Sequence, residues 1–429
     1  MSQAALDNAG PQRLSWWHSI GPALVTACVV FGPGSLVVNS NVGATYGYDF
    51  LWLLALIGVF MGVYMTMGAR IGVVGGATPC TLLATQLGRW AAVVVGINLC
   101  LICAAFQFAN NMAVALALRA LVPGVDAPVA LMVVNGLVIV FLFTAKNVYR
   151  VLERVMKVMV GVILLCFLFN LVIKTPPLMD VLHGFVPGLP AGLSLRLPAR
   201  VGTEIRDPLL LVASLLGTTL SVGAAFFQGN LVREKRWTSA DYDRGVGDAI
   251  AGVSVLTGVS AIIMITGATV IPGQPAADIG QLAKTLLPLL GTTSYLVFCA
   301  GLMAVAMNPF LINAMIGGSI LADALGLPAG LSDRWPRIFT IAVLLAGMAV
   351  GLVALRSGAA PVGLIILGQA LTVIGNPLMA AAMLYLANRA DVMGTRRNSA
   401  ITNSVAGIGL LVVVLGAIHV LSLVFLKLS

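Results

Sequence analysis

Charged residues are scarce in this chain. Asp, Glu, Lys and Arg make up 9% of its 429 residues, whereas hydrophobic residues make up 59%. Soluble domains usually contain about 25% charged residues. This composition excludes a sizeable soluble domain and predicts a polytopic membrane protein. The polar leader at residues 1–19 has no signal-peptide pattern before a cleavage site, so we expect it to stay in the cytoplasm.

Histidine and cysteine are also few, with three and six residues. Cys100 and Cys103 have the C-x-x-C spacing of redox and zinc motifs, but they lie inside an apolar run without a second pair or a nearby His. On a helix they would be small core residues one turn apart. We find no nucleophile arrangement, metal cluster or nucleotide-binding loop. We therefore expect neither an enzyme nor a resident cofactor, and a divalent metal only as part of a substrate complex.

Long apolar windows are abundant, and eleven of them are long enough to cross a bilayer. The predicted spans are 20–46, 50–74, 90–120, 127–146, 150–174, 207–232, 246–271, 294–322, 338–356, 361–388 and 402–426. Most of the 24 basic residues fall in segments on the side of the N-terminus, which predicts a cytoplasmic N-terminus and an external C-terminus in the cell (inner) membrane. Membrane topology thus accounts for most of the net charge of +9, and this charge does not indicate a nucleic-acid partner. The expected partners are the lipid bilayer and a small-molecule or metal-chelate substrate, with no obligate protein partner.

Two of the spans contain helix-breaking residues near their centres. Gly32-Pro33-Gly34 interrupts the first span, and the sixth span carries Gly217 and Gly223 with Thr and Ser between them. Pro removes an amide donor and Gly weakens a helix. Paired interruptions five spans apart are typical of inverted-repeat transporters, although such glycines could also serve only close helix packing. We predict a first repeat at 20–174, an extracellular connector at 175–206, a second repeat at 207–388, and helix 11 with the C-terminus at 389–429.

The order of several motifs resembles the Nramp divalent-metal transporters. The similarity runs from Gly32-Pro33-Gly34-Ser35 through Ala69-Arg70-Ile71-Gly72 and the sixth span to Gln369 and Asn376-Pro377, and so covers nearly the whole chain. The resemblance implies an all-α membrane protein with the LeuT-type fold. That fold has eleven transmembrane helices, a five-plus-five inverted repeat, and broken helices 1 and 6.

The chain departs from that family at the positions that would bind metal. The family has Asp-Pro-Gly-Asn in the first span, where this chain has Gly32 to Ser35, and Met-Pro-His in the sixth, where it has Ser221, Val222 and Gly223. Thr218 stands where the family has an Ala, and Gln228 stands where it has a second His. Gln107 lies in the region where the family has an acidic pair that this chain lacks. The glutamine of the tenth span is retained as Gln369. The chain is thus identified as a divergent member without the usual ligands.

Neutral oxygens compensate a divalent charge poorly, because hard cations leave water for charged or strongly polar oxygens. Removal of Asp and His should also enlarge the cavity and favour anions. We therefore expect a secondary active transporter that works by alternating access. Its expected substrate is an anionic organic solute, such as citrate, free or as a metal complex. The first alternative is a divalent cation carrier that uses backbone and hydroxyl oxygens. The second is a non-transporting sensor.

The residues predicted to bind substrate flank the two breaks or face them from the eighth and tenth spans. They are Gly32, Pro33, Gly34, Ser35, Thr218, Ser221, Gly223, Ala224, Gln228, Asn308 and Gln369. Candidate pathway residues are Asn39, Gln107, Arg196, Arg200 and Arg206, although amides inside a membrane often only join helices and charged loops are often only solvated. Asn308-Pro309 is expected to break the eighth span. His419 is expected to be a packing histidine, since the predicted membrane core has almost no proton-carrying side chain.

Overall fold

The computed structural model describes residues 31–429 except 123, 145 and 203. Residues 20–30, the first part of the first predicted span, lie outside this range, as does the leader. The first five predicted spans and the loop after the second contain α1 Pro33–Tyr46, α2 Leu51–Val74, α3 Pro79–Leu87, α4 Arg89–Leu121, α5 Ala127–Thr144 and α6 Lys146–Lys174. The connector contains α7 Leu178–His183, β1 Ala199–Val201 and β2 Glu204–Arg206.

The second half of the chain is also helical. It contains α8 Leu210–Thr219, α9 Val222–Glu234, α10 Ser239–Val270, α11 Ile279–Ala283, α12 Leu287–Leu290, α13 Ser294–Ala324, α14 Arg334–Arg356, α15 Pro361–Leu371, α16 Asn376–Asn388, α17 Ala390–Met393 and α18 Ala400–Leu428. Among the described residues, eight helical segments are long and apolar enough to cross a membrane. Together with α1, α5 and α6 they correspond one for one to the eleven predicted spans.

The predicted breaks in the first and sixth spans are present. Gly32 is extended, with φ −112° and ψ 171°, and α1 begins at Pro33, where a missing amide hydrogen costs nothing. In the sixth span α8 ends at Thr219, Leu220 and Ser221 are not helical, and α9 begins at Val222. The eighth span differs from expectation, because α13 continues through Pro309 without interruption. The tenth span instead changes to a 3₁₀ turn at Thr372–Gly375.

Glycines hold each broken span against one neighbour. A Cβ on Gly43 of α1 would overlap the Met264 carbonyl oxygen of α10, and one on Gly267 of α10 would overlap the Ser40 carbonyl oxygen of α1. Likewise a Cβ on Gly68 of α2 would overlap the Ala225 carbonyl oxygen of α9. Small residues permit this backbone approach in membranes. The first span thus packs on the seventh and the sixth on the second, as an inverted repeat of five spans requires.

The connector contains a small hairpin that an all-α prediction misses. β1 and β2 are antiparallel, with Ala199 opposite Arg206 and Arg200 opposite Ile205. Earlier in the connector, the Gly184 carbonyl accepts from the Trp52 amide at 2.8 Å and the Gly188 carbonyl accepts from Trp52 Nε1 at 2.8 Å. The connector therefore packs over the turn between the first two spans.

A buried carboxylate joins segments of both halves at the opposite end of the helices. Asp323, near the end of α13, is 4% exposed. Its Oδ1 accepts from Thr78 Oγ1 at 2.6 Å and from Thr81 Oγ1 at 3.1 Å, and its Oδ2 accepts from Asn230 Nδ2 at 3.0 Å. The Arg89 guanidinium donates to the carbonyl oxygens of Asp323 and Ala324. One side chain thereby connects the loop after the second span, α3, α9 and α13.

Candidate substrate site between the two broken spans

A cavity of about 70 Å³ lies where the breaks of the first and sixth spans meet. Helices α4, α13 and α15 complete its wall. Eight of the residues predicted to bind substrate line it: Gly32, Pro33, Gly34, Ser35, Thr218, Ser221, Ala224 and Gln369. Chain breaks that lie some 185 positions apart in the sequence therefore form one site, as the discontinuous-helix interpretation requires.

Hydroxyl groups connect the two breaks directly. Ser35 lies in the first turn of α1 and Thr218 in the last turn of α8, and their Oγ and Oγ1 atoms are 3.3 Å apart. A helix end leaves its last carbonyl groups without intrahelical donors. The carbonyl of Leu220, just after α8, accepts from the Val222 amide at 3.0 Å and also from Asn376 Nδ2 at 2.9 Å. The side chain of Asn376 comes from the first turn of α16. The break of the sixth span is thus held open by a side chain of the tenth.

Gln369 presents an unpaired oxygen to the cavity. It is 2% exposed, and its Oε1 has no hydrogen-bond partner among the described residues. Two glycines make room for it. A Cβ on Gly34 would overlap the Gln369 amide group, and one on Gly217 would overlap the Gln369 carbonyl oxygen. Buried polar oxygens are rarely left unpaired, so this atom is a natural contact for a bound solute.

Six lining residues were not predicted. They are Phe106 and Asn110 of α4, and Pro309, Ile312, Asn313 and Ile316 of α13. Phe106 and Asn110 are four positions apart, as are Ile312 and Ile316, so each set shares one helix face. That spacing was readable in the sequence, but nothing in it indicates which helix face meets the breaks.

A chain of buried amides leads away from the cavity. Asn110 Nδ2 donates to Gln107 Oε1 at 2.9 Å, Asn111 Nδ2 donates to the Gln107 carbonyl at 2.7 Å, and Asn135 Nδ2 of α5 donates to Asn111 Oδ1 at 2.8 Å. Asn110 alone of these lines the cavity. The predicted pathway residue Gln107 is buried behind it and accepts hydrogen bonds within α4, whereas Asn111 and Asn135 connect α4 to α5.

Other predicted residues lie away from the cavity. Gly223, predicted to bind substrate, is not among the cavity-lining residues, and a Cβ there would overlap Leu99 Cδ1 of α4. Asn39 donates from Nδ2 to the Ser35 carbonyl at 2.6 Å and does not line the cavity. Gln228 is half-buried on α9, outside the lining. The side chain of Asn308 lies outside the described part of the structure.

The arginines of the connector are also apart from the cavity. Arg196, Arg200 and Arg206 are exposed, and Arg200 donates to the Leu426 carbonyl at the end of α18 at 3.1 Å. Arg206 lies on β2 opposite Ala199. The structure places Arg200 and Arg206 on a hairpin beside the last helix, where no contact joins them to the cavity lining.

The cavity is electrically neutral in its side chains. Its lining, taken from the described residues, contains hydroxyl, amide, carbonyl and apolar groups but no Asp, Glu, His, Lys or Arg, and no Met or Cys. In the described ranges, no group of three or more His, Cys, Asp and Glu side chains could hold a metal ion. A solute in this cavity would therefore contact uncharged polar groups and apolar groups of the described lining.

Comparison with known proteins agrees with this architecture. Residues 23–423 match the family model described as natural resistance-associated macrophage protein-like, or Nramp. The chain is 27% identical over 413 residues to the divalent metal cation transporter MntH of Acidiphilium cryptum, with 94% of this chain and 90% of that protein covered. MntH of Mycobacterium tuberculosis is 25% identical over 402 residues, with 89% and 86% covered.

Solved structures show the same fold at lower identity. A crystal structure of a mutant manganese transporter of Eremococcus coleocola superimposes with a TM-score of 0.73 at 19% identity, covering 96% of this chain and 88% of that one. Mhp1, a nucleobase-cation-symport-1 family transporter with bromovinylhydantoin bound, gives 0.56 at 14% identity, covering 94% and 90%. Broken first and sixth spans, the inverted packing of their neighbours and these matches together show the LeuT-type fold, and the chain belongs to the Nramp family.

Proposed function

We propose that this chain is a divalent metal cation transporter that binds a partly hydrated ion through neutral oxygens. The observation that carries the proposal is the small, uncharged cavity between the two broken spans. The matched relatives are named as divalent metal cation transporters, and the superimposed structure as a manganese transporter, which supports a metal substrate. Alternating access around a fixed site between inverted repeats is the corresponding mode of transport.

The size of the cavity argues against the citrate-sized anion expected from the sequence. A volume of 70 Å³ is far below the roughly 300–1,000 Å³ of pockets that enclose drug-sized ligands. It exceeds the roughly 10–15 Å³ that one water needs, so it has room for an ion that keeps some of its water. The lining also contributes no cationic side chain to pair with a carboxylate. The divalent-cation alternative therefore fits better than the anionic solute.

The oxygens of the cavity suit a weakly held ion. The hydroxyls of Ser35, Thr218 and Ser221 and the unpaired Gln369 Oε1 are available donors of electron pairs. Asn110 and Asn313 can hold the waters that the ion keeps. With no carboxylate to offset its charge, the ion should bind less tightly than at an acidic site. With no sulfur ligand, the site should discriminate weakly between transition metals and Mg²⁺ or Ca²⁺.

A matched pair of substitutions at Gly32 tests the sign of the substrate charge. Among the described residues, a Cβ at Gly32 would meet only Pro309 Cγ, at 3.6 Å, so a Cβ can be added there without overlap. Gly32→Asp adds a carboxylate to the cavity, and Gly32→Asn adds a nearly identical neutral shape. We expect Gly32→Asp to tighten Mn²⁺ binding at least about tenfold, or about 1.4 kcal/mol, relative to Gly32→Asn.

Calorimetry on the purified variants measures this difference, and uptake of Mn²⁺ into proteoliposomes measures transport. Labelled citrate, with and without Mn²⁺, is the competing substrate. The proposal is wrong if Gly32→Asp weakens Mn²⁺ binding relative to Gly32→Asn. It is also wrong if the wild type takes up citrate but takes up no Mn²⁺ above protein-free vesicles.

A further inference from the structure

A buried acid–base pair lies at the connector end of the sixth span, well away from the cavity. His419 of α18 and Asp207, just before α8, are joined by a 2.7 Å contact between Nε2 and Oδ1. Their side chains are 7% and 5% exposed. Thr218 is eleven residues further along the span than Asp207, or about 16 Å at 1.5 Å per residue. The pair therefore takes no part in the proposed metal site.

One oxygen of this pair has no partner. Asp207 Oδ1 accepts both His419 Nε2 and the Leu209 amide, the latter at 3.0 Å. Asp207 Oδ2 is buried and has no hydrogen-bond partner within the described residues. A buried carboxylate oxygen normally has a partner, because leaving it unpaired is costly. Binding of a proton by the pair lowers this cost, because it removes the net negative charge that makes the unpaired carboxylate oxygen unfavourable.

The charge balance points the same way. With a neutral imidazole, the pair carries one buried negative charge. One added proton, on the imidazole or on Oδ2, makes the pair neutral overall. No Lys or Arg of the described ranges lies within salt-bridge distance of Asp207. A proton is therefore the available compensation for this charge.

Other ionisable groups occur on the elements that pack around the pair. The elements with the most extensive contacts to α8 or α18 are α1, α2, α15, α16, β1 and the 3₁₀ turn at Thr372–Gly375, and β2 ends directly before Asp207. The titratable or charged side chains of these elements, together with Lys427 of α18 itself, are Tyr46, Tyr64, Arg70, Arg200, Glu204, Arg206 and Tyr385. Tyr46 donates to the Pro208 carbonyl at 3.2 Å, Tyr64 to the Ala406 carbonyl and Arg200 to the Leu426 carbonyl. None of these three bonds involves the carboxylate.

We propose that Asp207 and His419 form a proton-binding site that controls how the connector end of the sixth span is attached to the last helix. The end of α1 meets the same point through Tyr46 and Pro208. Both broken spans are therefore anchored beside the pair. Burial of the pair is easier when it is neutral, so proton binding favours the attached arrangement and proton loss favours its exposure to water.

Histidine-specific ¹⁵N NMR of the full chain in nanodiscs tests the site without metal or transport. The chain has three histidines, so His18→Gln with His183→Gln leaves His419 alone and the pair intact. We expect its imidazole signals to change with pH as the pair gains or loses its proton. Asp207→Asn removes the carboxylate that contacts the imidazole, so it should move the midpoint of this change. A constant signal, or an unchanged midpoint in Asp207→Asn, overturns the proposal.

Uptake measurements test the consequence separately. We expect the pH dependence of Mn²⁺ uptake between pH 5 and 8 to be flattened in His419→Gln. It should persist in His183→Gln, which changes an exposed connector histidine. A wild-type pH profile in His419→Gln overturns the control of the sixth span. If no Mn²⁺ is taken up at all, the proposed substrate fails while the NMR titration still decides whether the proton site exists.

Discussion

Two glycines of the first break have different surroundings although only Pro33 separates them. A Cβ at Gly32 has open space apart from a 3.6 Å contact with Pro309, whereas one at Gly34 would overlap the amide of Gln369. The sequence motif predicts the break but treats both glycines alike. Their different roles depend on α13 and α15, which approach the motif from more than 270 residues further along the chain.

The first prediction concerns Gly34→Ala. The added methyl group should push the Gln369 amide out of the cavity, and a lost hydrogen bond of about 0.5–1.5 kcal/mol corresponds to a roughly two- to tenfold weaker Mn²⁺ affinity. Gly32→Ala is the matched control and should change affinity less than twofold. In a Gln369→Ala background, Gly34→Ala should have little further effect. Additive losses in calorimetry would show that Gly34 acts by another route.

The second prediction concerns Gly217→Ala. Its Cβ would overlap the carbonyl oxygen of Gln369, which is backbone and cannot rotate away. We expect α8 and α15 to separate and the free energy of unfolding to fall by about 1–3 kcal/mol. Gly363→Ala, on α15 with no atom near its Cβ, is the control and should leave the melting temperature unchanged. Equal melting temperatures for the two variants would contradict this packing.

At the scale of helices, the breaks could be predicted and the remaining walls could not. Gly32-Pro33-Gly34 and the Gly217 to Gly223 stretch contain residues that disfavour helix, and Gly32 and Leu220–Ser221 are not helical. Phe106, Asn110 and Asn313 lie in uninterrupted apolar helices, where tertiary packing alone decides which face meets the cavity. At Pro309 the sequence predicts a break that the structure does not have. The helix α13 continues through this proline, although proline usually interrupts a helix.

The third prediction concerns the support of the sixth-span break. Asn376→Leu keeps a similar branched shape but removes one of the two donors to the Leu220 carbonyl, which retains the Val222 amide. A lost hydrogen bond costs about 0.5–1.5 kcal/mol, so the unfolding free energy should fall by about this amount. Amide hydrogen exchange at Leu220 to Gly223 should also accelerate. Asn388→Leu, at the exposed end of the same helix, should cost less, and an equal loss would argue against a specific role for Asn376.

At the scale of the whole molecule, composition and window length predicted the membrane class and the number of spans. The hairpin of the connector and the Asp323 cluster could not be predicted from the sequence, because they depend on contacts between distant segments. Thr78 and Thr81 come from the first half of the chain, whereas Asn230 and Asp323 come from the second. No local pattern marks such a meeting point.

The fourth prediction concerns Asp323. Asp323→Asn places amide hydrogens against the donors from Thr78, Thr81 or Asn230, so the thermal stability should fall, with a loss of about 1–3 kcal/mol. Asp333→Asn, at a half-buried position just before α14, is the control and should change stability by less. A double-mutant cycle with Thr78→Val should show coupling. Independent effects of the two substitutions would mean that the carboxylate does not hold the two halves together.

The glycine contacts that pack the broken spans against their neighbours lie apart from the residues that line the cavity. Gly43, Gly68 and Gly267 bring backbones together at points that the cavity lining does not include. The half-helices α1 and α9 are thus each fastened to a full-length neighbour, and we expect each to move together with that neighbour. Under the proposed function, the choice of cargo depends on a few other positions around the cavity. A carrier of this design can change its substrate by substitution at those positions while the glycine contacts between its helices stay unchanged.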